Sequence, residues 1–309
     1  MKTPLAFLLR AAASLGVALA LPALAQAPAA QPAAAQPATG NTYLWEVKSL
    51  TNRLYLYGTV HAGKASWYPL PDPVEKALNA SNVLVVEADI TNSQAMNKSA
   101  GSMMYTPPDN LEKHVKPEDY ARFRKLLGRY ALPENQLAQL KPFMAVSLLV
   151  FGEWGKLGYY PQHGIDIYLL TKAKAEAKRI VEIEGIDTQL MLMDSLTEEE
   201  NRTIFGGTLS ALESGLSAEQ ITGIVNAWQA GDPRLVLEIA RKYNTDVPGA
   251  KEFEEKFIWS RHDAMATRIE GYLNRSKERH FIAVGSLHLA GPRGLVEMLR
   301  SRGYTVRQL

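Results

Sequence analysis

Two apolar runs near opposite ends of the chain close on the same short motif, and this pairing limits the fold more than any other feature. Leu54-Tyr55-Leu56-Tyr57 leads into Gly58-Thr59-Val60-His61, and Phe281-Ile282-Ala283-Val284 leads into Gly285-Ser286-Leu287-His288. Short continuous apolar runs of this kind read as strands covered on both faces. Strands far apart in sequence can be neighbours in a parallel sheet. A sheet that pairs these two brings both imidazoles to one edge, which is how a metal or acid–base site is built.

The remaining elements fit such a sheet. Tyr43–Lys48 alternates as an edge or half-buried strand does, and Leu50-Thr51-Asn52 joins it to Arg53–Val60 as a hairpin. Pro71–Ala80 reads as a short helix capped by Asp72, with Pro73 at its first position. Asn82–Glu87 is a continuous apolar run ending in a carboxylate, so strand, helix and strand make a parallel βαβ crossover. The middle of the chain is helical. Lys116-Pro117 opens a helix to Leu127 with Gly128 as its stop, Phe143–Trp154 and Gly164–Ala177 follow, and Arg179–Glu184 is a strand. Further starts lie at Thr197-Glu198-Glu199-Glu200, Ser217-Ala218-Glu219-Gln220 and Asp232-Pro233. Lys251–Ser276 reads as one amphipathic helix. His280–Val284, a helix over Pro292–Arg302 and a strand over Tyr304–Gln308 close the chain. The expected class is α/β (or α+β), a mostly parallel sheet from both chain ends. A large helical insert, roughly residues 100–275, is expected to cover the strand-end crevice.

The first 25 residues read as an export signal. Lys2 and Arg10 flank an apolar stretch too short and interrupted for a membrane span, and Ala23-Leu24-Ala25 fits a signal-peptidase site. Residues 26–41 are almost all Ala, Pro, Gln and Thr and read as a tether that forms no core. A single domain over 42–309 remains, in a periplasmic or extracellular setting. Cleavage removes Lys2 and Arg10 and no acid, taking the net charge from +2 to zero. A neutral surface gives no support for nucleic-acid binding. No stable membrane span is expected.

In open parallel sheets, ligands sit beyond the carboxyl ends of the strands. His61, Glu87 and His288 fall at such ends, where nothing structural demands a charge. Two imidazoles and a carboxylate are a common ligand set for zinc, manganese, cobalt or iron. The chain has no cysteine, so any metal must use His, Asp or Glu. The structural alternative is that both histidines cap loops. Asp166, at a helix start, reads as an N-terminal helix carboxylate, and Glu184 ends a strand as Glu87 does. Arg261-His262-Asp263 lies mid-helix, a run that usually belongs to a solvated face. His114, His163 and His280 have no matching context and read as surface or structural residues. There is no His-Glu-x-x-His helix, Walker loop or Gly-x-Ser-x-Gly elbow.

Several segments together resemble the TraB/GumN family, which includes the TIKI metalloproteases of animals. They are Leu44-Trp45-Glu46-Val47, Tyr57-Gly58-Thr59-Val60-His61, Val86-Glu87, Gly164-Ile165-Asp166, Arg261, Val284-Gly285-Ser286-Leu287-His288, Gly294-Leu295 and Arg302-Gly303-Tyr304-Thr305-Val306. The family is also similar in fold to the erythromycin-esterase and ChaN-like group. The resemblance implies a metal-dependent peptidase using two Gly-x-x-His motifs and a glutamate, here His61, His288 and Glu87. Glu87 would be a third ligand or the base for bound water. Arg261 would stabilise the oxyanion, and Asp166 would orient a histidine. Family members commonly carry Asn after the helix arginine, where this chain has His262, which offers an extra ligand. The expected function is an exported hydrolase of a peptide or small-molecule substrate. The alternative is a haem- or iron-binding protein of the ChaN-like kind, with Tyr55 and Tyr57 beside His61.

Overall fold

Apolar runs that can be covered on both faces become the middle of a sheet, and here they do. The computed structural model describes residues 41–242 and 249–309. Six strands, β1 (Leu44–Lys48), β2 (Arg53–Thr59), β3 (Val83–Val86), β4 (Arg179–Glu182), β5 (His280–Gly285) and β6 (Thr305–Gln308), form one sheet in the order β4-β3-β5-β2-β1-β6. β4, β3, β5 and β2 are parallel, and β1 runs antiparallel to β2 and β6. The α/β architecture and the mostly parallel sheet are as expected. The signal read over 1–25, and all of the tether but Asn41, lie outside the described residues.

The two runs that carry the motifs are direct neighbours. β2 and β5 pair in parallel, with Gly58 opposite Val284 and Thr59 opposite Gly285, so both motifs leave the sheet at the same edge. β3 flanks β5 on the other side and delivers Glu87 to that edge too. The crossover from β2 to β3 runs through α1 (Asp72–Asn79) and is parallel, but it skips a place that β5 fills. β4 comes from the middle of the chain, so the sheet is not drawn from the two ends alone.

Around this sheet lie α2 (Ser93–Ala100), α3 (Pro117–Tyr130), α4 (Glu134–Leu137), α5 (Pro142–Lys156), α6 (Ile165–Ala175), α7 (Ile186–Asp194) and α8 (Glu198–Glu213). They are followed by α9 (Leu216–Gln229), α10 (Pro233–Arg241), α11 (Ala250–Phe257), α12 (His262–Arg275) and α13 (Leu295–Ser301). Two helix starts carry the caps their sequences announce. Thr197 and Glu200 close a capping box at α8. The Asp232 carboxylate accepts from the backbone N–H of Arg234 and Leu235 at α10. Among the described residues, no helix is long and apolar enough to cross a membrane.

Four local expectations change. β1 is interior, because β6 pairs with its outer side, and four of its five residues are buried. Gly128 does not stop α3, which runs to Tyr130. An interior glycine costs only about 1 kcal/mol, and burial of Leu126 and Leu127 carries the helix through before Ala131 turns left-handed at φ 53°. At α1 the cap is Pro71, with Asp72 the first helical residue. The helix expected over Lys251–Ser276 is broken. α11 ends at Phe257, Trp259–Arg261 form a 3-10 turn, and α12 starts at His262. Neither Gly nor Pro marks the break. The Arg261 side chain makes it tenable by donating from Nη1 to the Phe257 carbonyl at 2.9 Å, which serves an end of α11 that the turn would otherwise leave open.

Glycine at position 58 is a packing requirement. A Cβ there would lie 2.3 Å from Cδ1 of Tyr43. That buried ring is fixed by its hydroxyl, which donates to the Ser286 carbonyl at 3.1 Å, within the second motif. Gly58→Ala is therefore expected to lose about 1–3 kcal/mol by overpacking, read by urea denaturation. In a Tyr43→Ala background the same substitution should cost less, with the tight contact to the Ser286 Cα at 3.1 Å left in place.

Candidate functional site

Three adjacent strands place His61, His288 and Glu87 at one edge of the sheet, each within three residues of its strand's end. All three are buried. α6 approaches the same edge because Gly164 lets it. The Ile165 N–H donates to the Val60 carbonyl at 3.0 Å, and a Cβ on Gly164 would sit 2.4 Å from the His61 carbonyl oxygen. One residue further on, Asp166 reaches Nδ1 of His61 at 2.6 Å. Asp166 is thus the partner of His61, and its place in the first turn of α6 also favours its negative charge.

The other nitrogen of His61 is open. Nε2 is fully buried and has no hydrogen-bond partner. Burial pulls the His61 pKa down, but the charge and hydrogen bond of Asp166, with the charge of Glu87, outweigh it and leave it above the ordinary value. Burial pushes Asp166 up, but its charge interaction and hydrogen bond with His61 leave it below the ordinary value. The Asp166 contribution to stability is complete above pH ~4 and fades as pH falls through its depressed folded value. The His61 contribution is complete below pH ~6.5 and fades as pH rises through its raised folded value.

A guanidinium fills the middle of the site. Arg261 donates from Nη2 to Glu87 Oε2 at 2.6 Å and from Nε to Glu184 Oε1 at 2.8 Å, and Nη2 also reaches Glu184 Oε2. Its Nη1 stands 3.3 Å from His288 Nε2. Glu87 is served on both oxygens. Gly285 N–H donates to Oε1 at 2.6 Å, and Gln189 Nε2 donates to Oε2 at 3.0 Å. Burial pushes Glu87 up; Arg261 opposes this and Glu184 adds to it, so its pKa stays above the ordinary carboxylate value. On the far side of His288, Nδ1 meets His262 Nε2 at 2.8 Å, and His262 Nδ1 meets the Arg293 carbonyl at 2.7 Å. Burial holds His262 down at about 4.

The structure therefore brings together every residue singled out for the site: His61, Glu87, Asp166, Arg261 and His288, with Glu184 and His262. Arg261 and His262 are buried, not on a solvated face as their run suggested, because the break before α12 turns both inward; Asp263 alone points outward. Gln189 went unread. Its signal was a polar residue on the buried stripe of α7, beside Ile186, Leu190 and Met193. His280 lies at the opposite end of β5 and stacks on Tyr272. Tyr57 is spent on the core, packed against Trp228 and Phe281.

A bound divalent ion would draw on His61, Glu87 and His288. His61 is prepared as a ligand, with Nε2 unpartnered and Asp166 behind it, the arrangement that orients metal-binding imidazoles. The other two residues are committed elsewhere. Both Glu87 oxygens accept hydrogen bonds, and a permanent cation already faces His288 Nε2. Among the described residues no group of three or more His, Cys, Asp or Glu is placed to hold an ion. In this arrangement the residues do not fit a resident metal.

The sequence profile of the TraB/PrgY/gumN family matches residues 43–308. The chain is similar to the uncharacterized protein YbaP of Escherichia coli (strain K12), at 24% identity over 266 residues, covering 84% of this chain and 94% of YbaP. It is also similar to the metalloprotease TIKI homolog of Amphimedon queenslandica, at 24% identity, covering 88% of this chain and 62% of that protein. Metalloprotease TIKI2 of Xenopus tropicalis is 21% identical, with 86% of this chain and 59% of that protein covered. The chain thus spans about three fifths of the length of these two TIKI proteins. No solved structure matches.

Removing the guanidinium tests the electrostatics of the site. Arg261→Met leaves Glu87 and Glu184 facing each other under cover, and breaking such a buried pair costs about 3–5 kcal/mol. Urea denaturation at neutral pH should show that loss, and mild acid, which neutralises Glu87 with its raised pKa, should shrink it. A deficit equal at both pH values would assign the loss to packing.

Proposed function

The chain belongs to the TraB/PrgY/gumN family, and from that premise we propose that it is an exported hydrolase. Its substrate would be a peptide, or a small molecule with a comparable carbonyl linkage, cleaved at the strand-end site. The observation that carries this reading is His61, whose Nε2 is buried and unpartnered while Asp166 holds Nδ1. A ring fixed on one nitrogen and open on the other is placed to take a proton from an attacking water and return it to the leaving group. Asp166 fixes the tautomer and favours the imidazolium that forms. Arg261, held by Glu87 and Glu184, is the fixed positive group for the negative charge that develops on the carbonyl oxygen. The names of the TIKI relatives support peptide cleavage as the class of reaction.

The base must be neutral to act. Activity should therefore rise with pH through an apparent pKa above about 6.5, since His61 is held above its ordinary value. Asp166→Asn removes the charge that raises it, so this limb should move to lower pH. Both His61→Ala and Asp166→Asn should lower kcat by about 10²–10⁴-fold. A panel of fluorogenic peptides and esters supplies the assay. Activity unchanged in His61→Ala would overturn the assignment.

The metal reading implied by the relatives' names places a divalent ion on His61, His288 and Glu87, and would require Arg261 to release Glu87. Elemental analysis of protein purified without an affinity tag decides it. A stoichiometric ion lost in His61→Ala and His288→Ala would support that reading. Hydrolysis by metal-free protein would leave Arg261 as the cation of the site. Export has its own check. The intact mass of protein recovered outside the cytoplasm should lack residues 1–25, as Lys2, Arg10 and Ala23-Leu24-Ala25 indicate.

A further inference from the structure

A single row of hydrogen bonds runs from the guanidinium through two imidazoles to a backbone carbonyl, and its two ends fix its direction. Arg261 Nη1 is 3.3 Å from His288 Nε2, His288 Nδ1 is 2.8 Å from His262 Nε2, and His262 Nδ1 is 2.7 Å from the Arg293 oxygen. A guanidinium can only donate and a carbonyl can only accept. His288 Nε2 must then carry the lone pair, so its proton sits on Nδ1 and points to His262. His262 Nε2 must accept it, so the proton of His262 sits on Nδ1 and points to Arg293. Every contact in the row is satisfied by this one arrangement, with both rings neutral; Glu87 Oε1, at 3.7 Å from His288 Nε2, lies beyond hydrogen-bond distance. The rings of His262 and Trp259 also pack perpendicular to each other, with centroids 5.3 Å apart at 90°.

We propose that His262 is a positioning residue that locks His288 in the Nδ1–H tautomer and so keeps the Nε2 lone pair of His288 facing Arg261. The consequence is a division of labour. His61 exchanges a proton through an open nitrogen, whereas His288 is an acceptor that helps aim the guanidinium between Glu87 and Glu184. The catalytic consequence rests on the hydrolase reading above; the tautomers do not.

The test is the ¹⁵N imidazole spectrum of the purified chain at neutral pH, with His288 and His262 assigned by their single substitutions. Both rings are expected to show protonated Nδ1 and unprotonated Nε2. In His262→Gln, whose side-chain oxygen can stand in for Nε2, His288 should keep that signature and kcat should stay within about threefold. In His262→Leu the acceptor is gone. With only Arg261 left to set its direction, His288 should then lose its single tautomer and populate the Nε2–H form, whose proton faces Glu87 Oε1 at 3.7 Å, beside the Nδ1–H form, and kcat should fall about 10–100-fold with KM little changed, the scale seen when an outer-shell partner is lost. A protonated Nε2 on His288 in the parent chain, or a His288 spectrum indifferent to His262→Leu, overturns the proposal. Should no substrate be hydrolysed, the spectra still decide the tautomers, so failure of the hydrolase reading and failure of this one remain separate.

Discussion

The buried guanidinium of Arg261 is the contact on which the rest of the site depends. β3 and β4 run side by side and deliver Glu87 and Glu184 to the same covered edge, and two carboxylates cannot both stay charged there without a cation between them. Arg261 is that cation, hydrogen-bonded to both. To reach them the chain must leave its helix, which is why a segment with continuous helical periodicity breaks between Phe257 and His262. The same guanidinium serves the buried carbonyl of Phe257 at the end of α11, so the break and the ion pair support each other.

The two motif histidines have unlike partners, and this separates their chemistry. His61 leans on a carboxylate at Nδ1, whereas His288 leans on an imidazole at Nδ1 and has Arg261 at 3.3 Å and Glu87 Oε1 at 3.7 Å from Nε2. The motif is symmetric in sequence only. After β2, His61 meets the start of α6, whereas after β5, His288 enters a 3-10 turn packed under the start of α12.

Much of this was legible from residue patterns. Continuous apolar runs announced β2, β3 and β5, and their polar last residues announced the site. Asp166 was expected to orient a histidine, but which of the two was not legible, because the approach to His61 depends on Gly164 meeting backbone from a distant strand. Arg261 and His262 looked solvated because charge in a helical pattern normally is; only the turn at Trp259 shows them inward. Gln189 was hidden for the opposite reason, one amide on an otherwise apolar stripe. Nor could the strand order be read, since β5 enters between β2 and β3 from about two hundred residues away.

The glycines of the paired motif bear on what the motif is for. Gly58 makes room for Tyr43, whose hydroxyl holds the Ser286 carbonyl of the other motif, and the Gly58 carbonyl accepts from Trp228 Nε1 at 2.7 Å. Gly285 contributes its N–H, aimed at Glu87 Oε1 from the adjacent strand. One glycine therefore braces the two strand ends against each other, and the second feeds the carboxylate that holds Arg261. Half of each Gly-x-x-His motif is scaffold, and that scaffold is what converts two distant histidines into neighbours of one cation.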